Sequence, residues 1–225
     1  MIQAVLIDID NTLLDFDAYV QTTMRDGFET FGIGPYEEPM FDVFTRVNNG
    51  LWHQIEKGTL TFGELTKVRW NRVFEALGIE CDGPAFETYF RACLKDSAIP
   101  VEGAFEMLEY LNGRYVLGVA SNGPYEQQLN RLKKGKMYPY FSHYFISEKI
   151  GASKPSEQFF SHCLEELGIA PHNIMMIGDS LTSDMAGAIA CGMKTCYFDK
   201  NKRGVTTDLK LDHRIDSLKA VESFM

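Results

Sequence analysis

Short apolar runs and amphipathic helical segments alternate along the chain from about residue 101 onward, and this alternation limits the fold more than any other feature. The runs have the length and composition of buried strands, and the segments between them have the apolar spacing of helices. Repeated strand–helix units predict a parallel sheet with right-handed crossovers. The apolar run Val5 to Ile7 supplies a further strand near the start, and a short strand near His213 to Ile215 is expected to lead into a terminal helix.

A different pattern separates the first strand from the others. From about Asp17 to Asp96 the apolar residues follow helical spacing, and glycines punctuate the segments. Four helices are predicted, and the third has its apolar face on Leu65, Val68, Arg72, Ala76 and Leu77. We therefore predict an α/β protein with a doubly wound, parallel Rossmann-like sheet from residues 1–14 and 99–225, and an inserted four-helix domain at residues 15–98.

Composition limits the partners and the location. The chain has 225 residues, a net charge of −9 and 45% apolar residues, which is typical of a globular protein with a sizeable core. The negative charge argues against binding to nucleic acid or to an anionic membrane surface. The five cysteines have no C-x-x-C or zinc spacing and are expected to be reduced thiols. With no signal segment and no span-length apolar run, we expect a cytoplasmic protein.

Two aspartates stand where the first strand should end. Asp8 and Asp10 follow the apolar run, and because strand side chains alternate they project to the same side. A turn or a helix cap would explain an isolated D-x-D pattern. After a buried strand, however, repulsion and desolvation oppose two neighbouring carboxylates. A bound Mg²⁺ is the simplest group that offsets this cost.

Three later segments carry polar residues beyond predicted strands, where open parallel sheets bind ligands. Each has an ordinary structural explanation when it is taken alone. Ser121 and Asn122 suit a turn before a helix, and Lys154 suits an exposed position before a proline that starts a helix. Asp184 suits the first turn of a helix. Asp179 is harder to explain in this way, because it repeats the acid at the end of the first strand.

These segments, in this order, resemble the motifs of the haloacid dehalogenase-like hydrolase superfamily. The matching residues are Asp8-x-Asp10-x-Thr12, Ser121, Lys154-Pro155 and Gly178-Asp179-x4-Asp184. The resemblance spans about residues 1–200, and the helical insertion lies where the superfamily carries a cap domain. The segments at 51–54, 57–61, 121–123 and 145–151 are similar to the noncanonical pyrimidine nucleotidase family of 5′-nucleotidases.

The resemblance implies phosphomonoester hydrolysis through an aspartyl-phosphate on Asp8, with Asp10 as general acid and then as base. It also implies a Mg²⁺ held by the Asp8 carboxylate, the Asp10 backbone carbonyl and Asp179. Asp184 would orient a water ligand or Lys154. The implied phosphate-binding residues are Thr12, Ser121, Asn122 and Lys154. The expected substrate is a small phosphorylated metabolite, and the closer resemblance implies a nucleotide.

The cap residues and the activity leave alternatives open. Trp52, His53 and Gln54 are candidate contacts for a nucleobase, although the helical pattern around Trp52 and Trp70 favours core aromatics. Asp10 favours an oxygen leaving group over a halide, which leaves without a proton. A sugar-phosphate phosphatase or a phosphomutase would keep the same core motifs. The intact acids and lysine disfavour a non-catalytic binding module, and the sequence indicates no oligomeric state.

Overall fold

The chain forms two compact units in a computed structural model that describes residues 1–200, 202, 204 and 206–225. The first unit combines Met1–Asp15 with Ala98–Met225, and the second is Phe16–Ser97. The roles predicted for the two units, a catalytic core and a cap, stay predictions.

Six strands form a parallel sheet in the first unit. They are β1 Ala4–Ile7, β2 Val116–Ser121, β3 His143–Ile146, β4 Ile174–Gly178, β5 Lys194–Phe198 and β6 His213–Ile215. Their order across the sheet is β3-β2-β1-β4-β5-β6, so β1 lies between two strands that come much later in the chain. The predicted parallel, doubly wound sheet is confirmed.

Strand β1 is buried on both of its faces. Val5 and Ile7 pack into the core on one side of the sheet, and Ala4 and Leu6 pack into the core on the other side. This division follows from the alternation of side chains along a strand. It also explains why β1 is a continuous apolar run, as expected for a parallel strand that helices cover on both faces.

The second unit contains four helices, as the apolar spacing predicts. They are α1 Phe16–Thr30, α2 Pro39–Glu56, α3 Phe62–Leu77 and α4 Gly83–Asp96. Thr61 and Glu64 form a reciprocal capping box at the start of α3, and Gly78 ends that helix in the left-handed conformation. The shared core is largely aromatic and includes Phe28, Phe44, Trp70, Phe74, Phe86 and Phe90.

The buried face of α3 differs from the predicted one. Arg72 and Ala76 are exposed, whereas Arg69 is buried. The prediction was wrong because a charged side chain is compensated inside this unit. Arg69 donates to both carboxylate oxygens of Glu87 at 2.6 and 3.0 Å, and to Asn48 Oδ1 at 3.2 Å. Paired in this way, a guanidinium can lie in a core.

The helices of the first unit connect the later strands. They are α5 Ala104–Leu111, α6 Tyr125–Lys134, α7 Ser147–Ile150, α8 Glu157–Leu167 and α9 Ala186–Ala190. A π-helical turn at Leu181–Met185 leads into α9. The expected terminal helix is a 3₁₀ segment at Leu218–Ser223. Among the described residues, no helix combines the length and apolar character that a membrane span requires.

Candidate active site

Asp8 lies at the carboxyl edge of the sheet, between the ends of β2 and β4. Ile7 pairs with Val119 on one side and with Ile177 on the other. The backbone N–H of Asp8 donates to the Ile177 carbonyl at 2.9 Å, so strand pairing continues one residue beyond β1. Since Ser121 ends β2 and Asp179 follows β4, the sheet brings both to the edge that carries Asp8.

Lys154 is the buried positive charge at this edge. Its Nζ donates at 2.6 Å to Asp8 Oδ1, to Asp184 Oδ1 and to the Ala120 carbonyl. The three contacts use all three N–H donors of the ammonium group. Burial alone would lower the pKa of Lys154, but the Asp184 and Asp8 carboxylates outweigh it and raise that pKa above its ordinary range. The alternative of an exposed lysine is wrong.

Asn122 fixes the backbone of Lys154. Its Nδ2 donates to the Lys154 carbonyl at 2.9 Å, and its Oδ1 accepts from the Lys154 N–H at 2.8 Å. The side-chain amide therefore clamps the segment that carries the lysine. One N–H of Nδ2 is used in this clamp, so a phosphate could accept from the second N–H of Nδ2 or from the backbone N–H of Asn122.

Three aspartates form a cluster that suits a divalent cation. One carboxylate oxygen from each of Asp8, Asp179 and Asp184 lies within 4.8 Å of the other two. The backbone N–H of Ser180 donates to Asp184 Oδ2 at 3.1 Å and fixes this carboxylate. Anionic oxygen donors are the ligands that Mg²⁺ prefers in proteins. The residues present therefore fit the metal that the resemblance implies.

Gly178 allows Asp184 to approach the end of β4. A Cβ atom at Gly178 would lie 2.2 Å from Asp184 Oδ2 and 2.6 Å from Asp184 Cγ. Because Lys154 and Ser180 both hold this carboxylate, it has no easy path away from an added methyl group. The glycine before Asp179 thus leaves the space that the Asp184 carboxylate occupies.

The Asp8 carboxyl group is hard to ionise in this setting. Burial is the largest cause that raises its pKa, Lys154 opposes that effect, Asp184 and Asp10 add to it, and the net result is a pKa of about 7. A nearby divalent cation would favour the ionised form, because its charge reverses the sign of the local potential.

The Asp10 side chain binds two residues of α6. Arg131 Nη1 donates to Asp10 Oδ1 at 2.6 Å, and Gln128 Nε2 donates to Asp10 Oδ2 at 2.7 Å. Neither residue is predicted from the sequence, because the apolar spacing of this helix marks only Leu129 and Leu132. The available signal was an arginine beside the apolar face, three positions after a glutamine, on the helix that follows Ser121.

Two of the predicted phosphate-binding residues are buried hydroxyls. Ser121 Oγ accepts from the Gly123 N–H at 3.1 Å and from Gln128 Nε2 at 2.8 Å. Thr12 is fully buried, and its Oγ1 has no hydrogen-bond partner in the described part of the chain. A buried hydroxyl without a partner is unfavourable, so this position suits an atom that a ligand would supply.

The three predicted specificity residues lie on α2, in the second unit. The Trp52 ring packs against Phe62 with 5.9 Å between the ring centroids. His53 is exposed, with Nδ1 3.3 Å from Glu56 Oε2, and Gln54 is partly buried. Their part in substrate choice stays a prediction.

Known proteins resemble this chain over most of its length. A family model for haloacid dehalogenase-like hydrolases matches residues 2–192. The pyrimidine 5′-nucleotidase PynA of Streptococcus pneumoniae is 31% identical over 86% of this chain and 82% of its own length. The pyrimidine 5′-nucleotidase YjjG of Escherichia coli is 27% identical over 98% of this chain and 96% of its own. A crystal structure of the HAD-hydrolase YfnB from Bacillus subtilis, bound to magnesium, matches with a TM-score of 0.89 at 28% identity, over 99% of this chain and 97% of that one.

The chain therefore belongs to the haloacid dehalogenase-like hydrolase family, and it is an enzyme of the hydrolase class. The resemblance read from the four ordered motifs is confirmed. The closer resemblance, to the pyrimidine nucleotidases, is confirmed as well, since two pyrimidine 5′-nucleotidases are among the relatives.

Proposed function

We propose that this enzyme is a Mg²⁺-dependent phosphatase that cleaves nucleoside 5′-monophosphates through an aspartyl-phosphate on Asp8. The observation that carries the proposal is the 2.6 Å contact between the buried Lys154 ammonium and Asp8, within a cluster of three aspartates. A carboxylate nucleophile beside a fixed cation suits phosphoryl transfer, because an anionic phosphate would otherwise be repelled.

In the first step, a carboxylate oxygen of Asp8 attacks phosphorus and the bond from phosphorus to the ester oxygen breaks. Asp10 gives its proton to the departing alkoxide, which leaves as an alcohol. The Asp10 side chain is 34% exposed, compared with 10% for Asp8, and this suits a group that must reach a leaving oxygen.

In the second step, Asp10 takes a proton from water and the water oxygen attacks phosphorus. The bond between phosphorus and Asp8 then breaks, which releases inorganic phosphate and restores the Asp8 carboxylate. The hydroxyls of Ser121 and Thr12 would donate to the phosphoryl oxygens through both steps, and Lys154 would do so by exchanging its contact with Asp8 Oδ1 for one with a phosphoryl oxygen. Asn122 contributes through its backbone N–H, while its side chain holds the Lys154 backbone.

The Asp8 carboxylate, the Asp179 carboxylate and the Asp10 backbone carbonyl would hold the Mg²⁺, with Asp184 beside them. When bound there, the cation would neutralise charge on the carboxylates and on the phosphate oxygens. Asp184 holds Lys154 in place at 2.6 Å.

Nucleoside 5′-monophosphates are the proposed substrates because PynA and YjjG, both named pyrimidine 5′-nucleotidases, resemble this chain over most of its length. Trp52, His53 and Gln54 are the proposed contacts for the base. A stacking ring beside two polar side chains would suit a flat heterocycle with polar edges.

A cytoplasmic location is also proposed. All five cysteines are free thiols, which supports a reducing compartment. Cell fractionation tests this proposal, and recovery of the protein outside the cytoplasmic fraction would contradict it.

The decisive experiment measures phosphate release from nucleoside 5′-monophosphates, sugar phosphates and 4-nitrophenyl phosphate, with Mg²⁺ and with excess EDTA. We expect the highest kcat/KM for nucleoside monophosphates, loss of turnover in EDTA and recovery when Mg²⁺ is restored. A preference for sugar phosphates would keep the phosphatase chemistry and overturn the substrate assignment. Equal turnover in EDTA would overturn the role of the metal.

Replacement of the nucleophile provides the matched control. Asp8→Asn should abolish turnover of every ester while the protein stays folded, because an amide cannot form the phosphoaspartate. Asp208→Asn makes the same chemical change at an exposed position of the same unit and should keep full activity. Persistent turnover by Asp8→Asn would refute the assigned nucleophile.

A further inference from the structure

Gln128 and Arg131 hold the Asp10 carboxylate by both of its oxygens. Arg131 Nη1 donates to Oδ1 at 2.6 Å, and Gln128 Nε2 donates to Oδ2 at 2.7 Å. The two residues stand three positions apart on α6, so they lie on the same face of the helix. Each carboxylate oxygen has its own donor, and a rotation of the Asp10 side chain would break both contacts.

Gln128 also connects Asp10 to the hydroxyl of Ser121. Its Nε2 lies 2.8 Å from Ser121 Oγ, and its Oε1 accepts from Arg131 Nη1 at 2.8 Å. Gly123 leaves room for this amide, because a Cβ atom there would lie 2.5 Å from Gln128 Nε2. The proton donor and the phosphate-binding hydroxyl of the proposed reaction are therefore joined through one side chain.

In this hydrogen-bond network the donors, Gln128 and Arg131, are buried, and the acceptor, Asp10, is accessible to solvent. Gln128 is fully buried and the Arg131 side chain is 1% exposed, whereas the Asp10 side chain is 34% exposed. A guanidinium stays charged, so its burial is unfavourable unless a partner compensates. If stability were the only benefit, a well-packed apolar side chain of similar volume would serve as well. A carboxylate that accepts two hydrogen bonds still has lone pairs for a reacting group.

We propose that Gln128 and Arg131 are positioning residues that hold the Asp10 carboxyl in the orientation for proton transfer, in register with a phosphoryl group bound at Ser121. The inference rests on the proposed function, in which Asp10 protonates the leaving oxygen. Neither residue touches a reacting atom, since Arg131 acts through Asp10, and Gln128 acts through Asp10 and Ser121. Replacement of either residue should therefore lower kcat/KM most for substrates whose leaving group needs a proton.

The test compares two phosphomonoesters that differ in this need. The alkoxide of UMP must be protonated as it leaves, whereas the resonance-stabilised 4-nitrophenolate leaves without a proton. We expect Arg131→Met and Gln128→Met to lower kcat/KM for UMP by about 100-fold, the scale of general acid catalysis. The loss for 4-nitrophenyl phosphate should be smaller by at least about tenfold.

Two further variants sharpen the comparison. Arg131→Lys keeps the charge but loses the planar guanidinium, so it should show the same selective loss at a smaller size. Lys133→Met removes an exposed charge from the same helix and should change neither rate. Should Arg131→Met fail to fold, Gln128→Met carries the comparison, because it retains the ion pair. Far-UV circular dichroism checks that each variant is folded.

The outcomes separate this inference from the function on which it rests. Equal losses on both esters would indicate a structural role and overturn the inference, and unchanged kinetics would do the same. If Asp10→Asn shows the selective loss on UMP and the α6 variants do not, only the positioning role fails. If the wild-type enzyme hydrolyses neither ester, the proposed function fails and the inference fails with it.

Discussion

Lys154 Nζ lies 2.6 Å from Asp8 Oδ1 although 146 residues separate them in the chain. The parallel sheet makes this contact possible, because strands that are distant in sequence end at the same edge. The ammonium group is the charge that allows buried carboxylates to gather there, and this has consequences for stability as well as for chemistry.

Lys154→Met should lower both activity and stability. Without the ammonium, Asp8 and Asp184 lose their cationic partner, and removal of one member of a buried ion pair costs about 3–5 kcal/mol. Urea unfolding at pH 8 in EDTA measures this loss, and kcat for a nucleoside monophosphate should fall at least about 100-fold. Lys149→Met, at an exposed position, is the control. An unfolding free energy within about 1 kcal/mol of the wild type would contradict the pairing.

Asp8→Asn should stabilise the metal-free protein in a pH-dependent way. The pKa of Asp8 is raised from 3.8 to about 7, chiefly by burial. At pH values between these two, Asp8 is protonated in the folded protein and ionised in the unfolded chain. The free energy of unfolding of the wild type therefore falls as pH rises from about 4 to about 7, whereas asparagine does not titrate. The Tm advantage of the variant in EDTA should grow across this window and level off above it. An advantage that shrinks with rising pH would be inconsistent with a buried, proton-retaining Asp8, and Asp208→Asn should show none.

Magnesium should reverse this ranking. A ligand that binds only the folded state raises its stability, and Asp8 belongs to the cluster that would hold the cation. Excess Mg²⁺ should raise the Tm of the wild type more than that of Asp8→Asn or Asp179→Asn, by thermal unfolding with and without the ion. Equal shifts in all three proteins would remove both aspartates from the metal site.

Gly178→Ala and Gly50→Ala should change stability in opposite directions. The first adds a methyl group 2.2 Å from Asp184 Oδ2, and overpacking of this kind costs about 1–3 kcal/mol. The second adds a methyl group on α2, where no atom apart from its chain neighbours and the nearby backbone of the same helix lies within 4 Å, and alanine within a helix is more stable than glycine by about 0.5–1 kcal/mol. Urea unfolding of both variants measures the contrast. A neutral Gly178→Ala would show that Asp184 can move.

Glu87→Ala should destabilise the protein through the second unit. Arg69 would keep a buried charge without its two-oxygen partner, at a cost of about 3–5 kcal/mol. The double variant Arg69→Met/Glu87→Leu removes both charges and should recover much of the loss. Glu75→Ala, exposed on α3, should stay within about 0.5 kcal/mol of the wild type. A double variant as unstable as Glu87→Ala would mean that packing, not charge, dominates.

Local patterns were sufficient to predict the sheet, the four inserted helices and the strand ends that carry Asp8, Ser121 and Asp179. Each depends on neighbouring residues: a strand on a short apolar run, a helix on apolar spacing, and a strand-end acid on its position after the run. The common edge of the strands then followed from the rules for parallel sheets. The assignment of catalytic roles at that edge stays a prediction.

Only the tertiary structure decided which polar side chains are buried and what they contact. Arg131 meets Asp10 across 121 residues and Arg69 meets Glu87 across 18, and neither pairing follows from the spacing of apolar residues. A charged residue can enter a core only where another element brings a partner to it, and the sequence around that residue does not contain the partner. The buried face of α3, the clamp of Asn122 on Lys154 and the network around Asp10 were therefore determined by packing between elements.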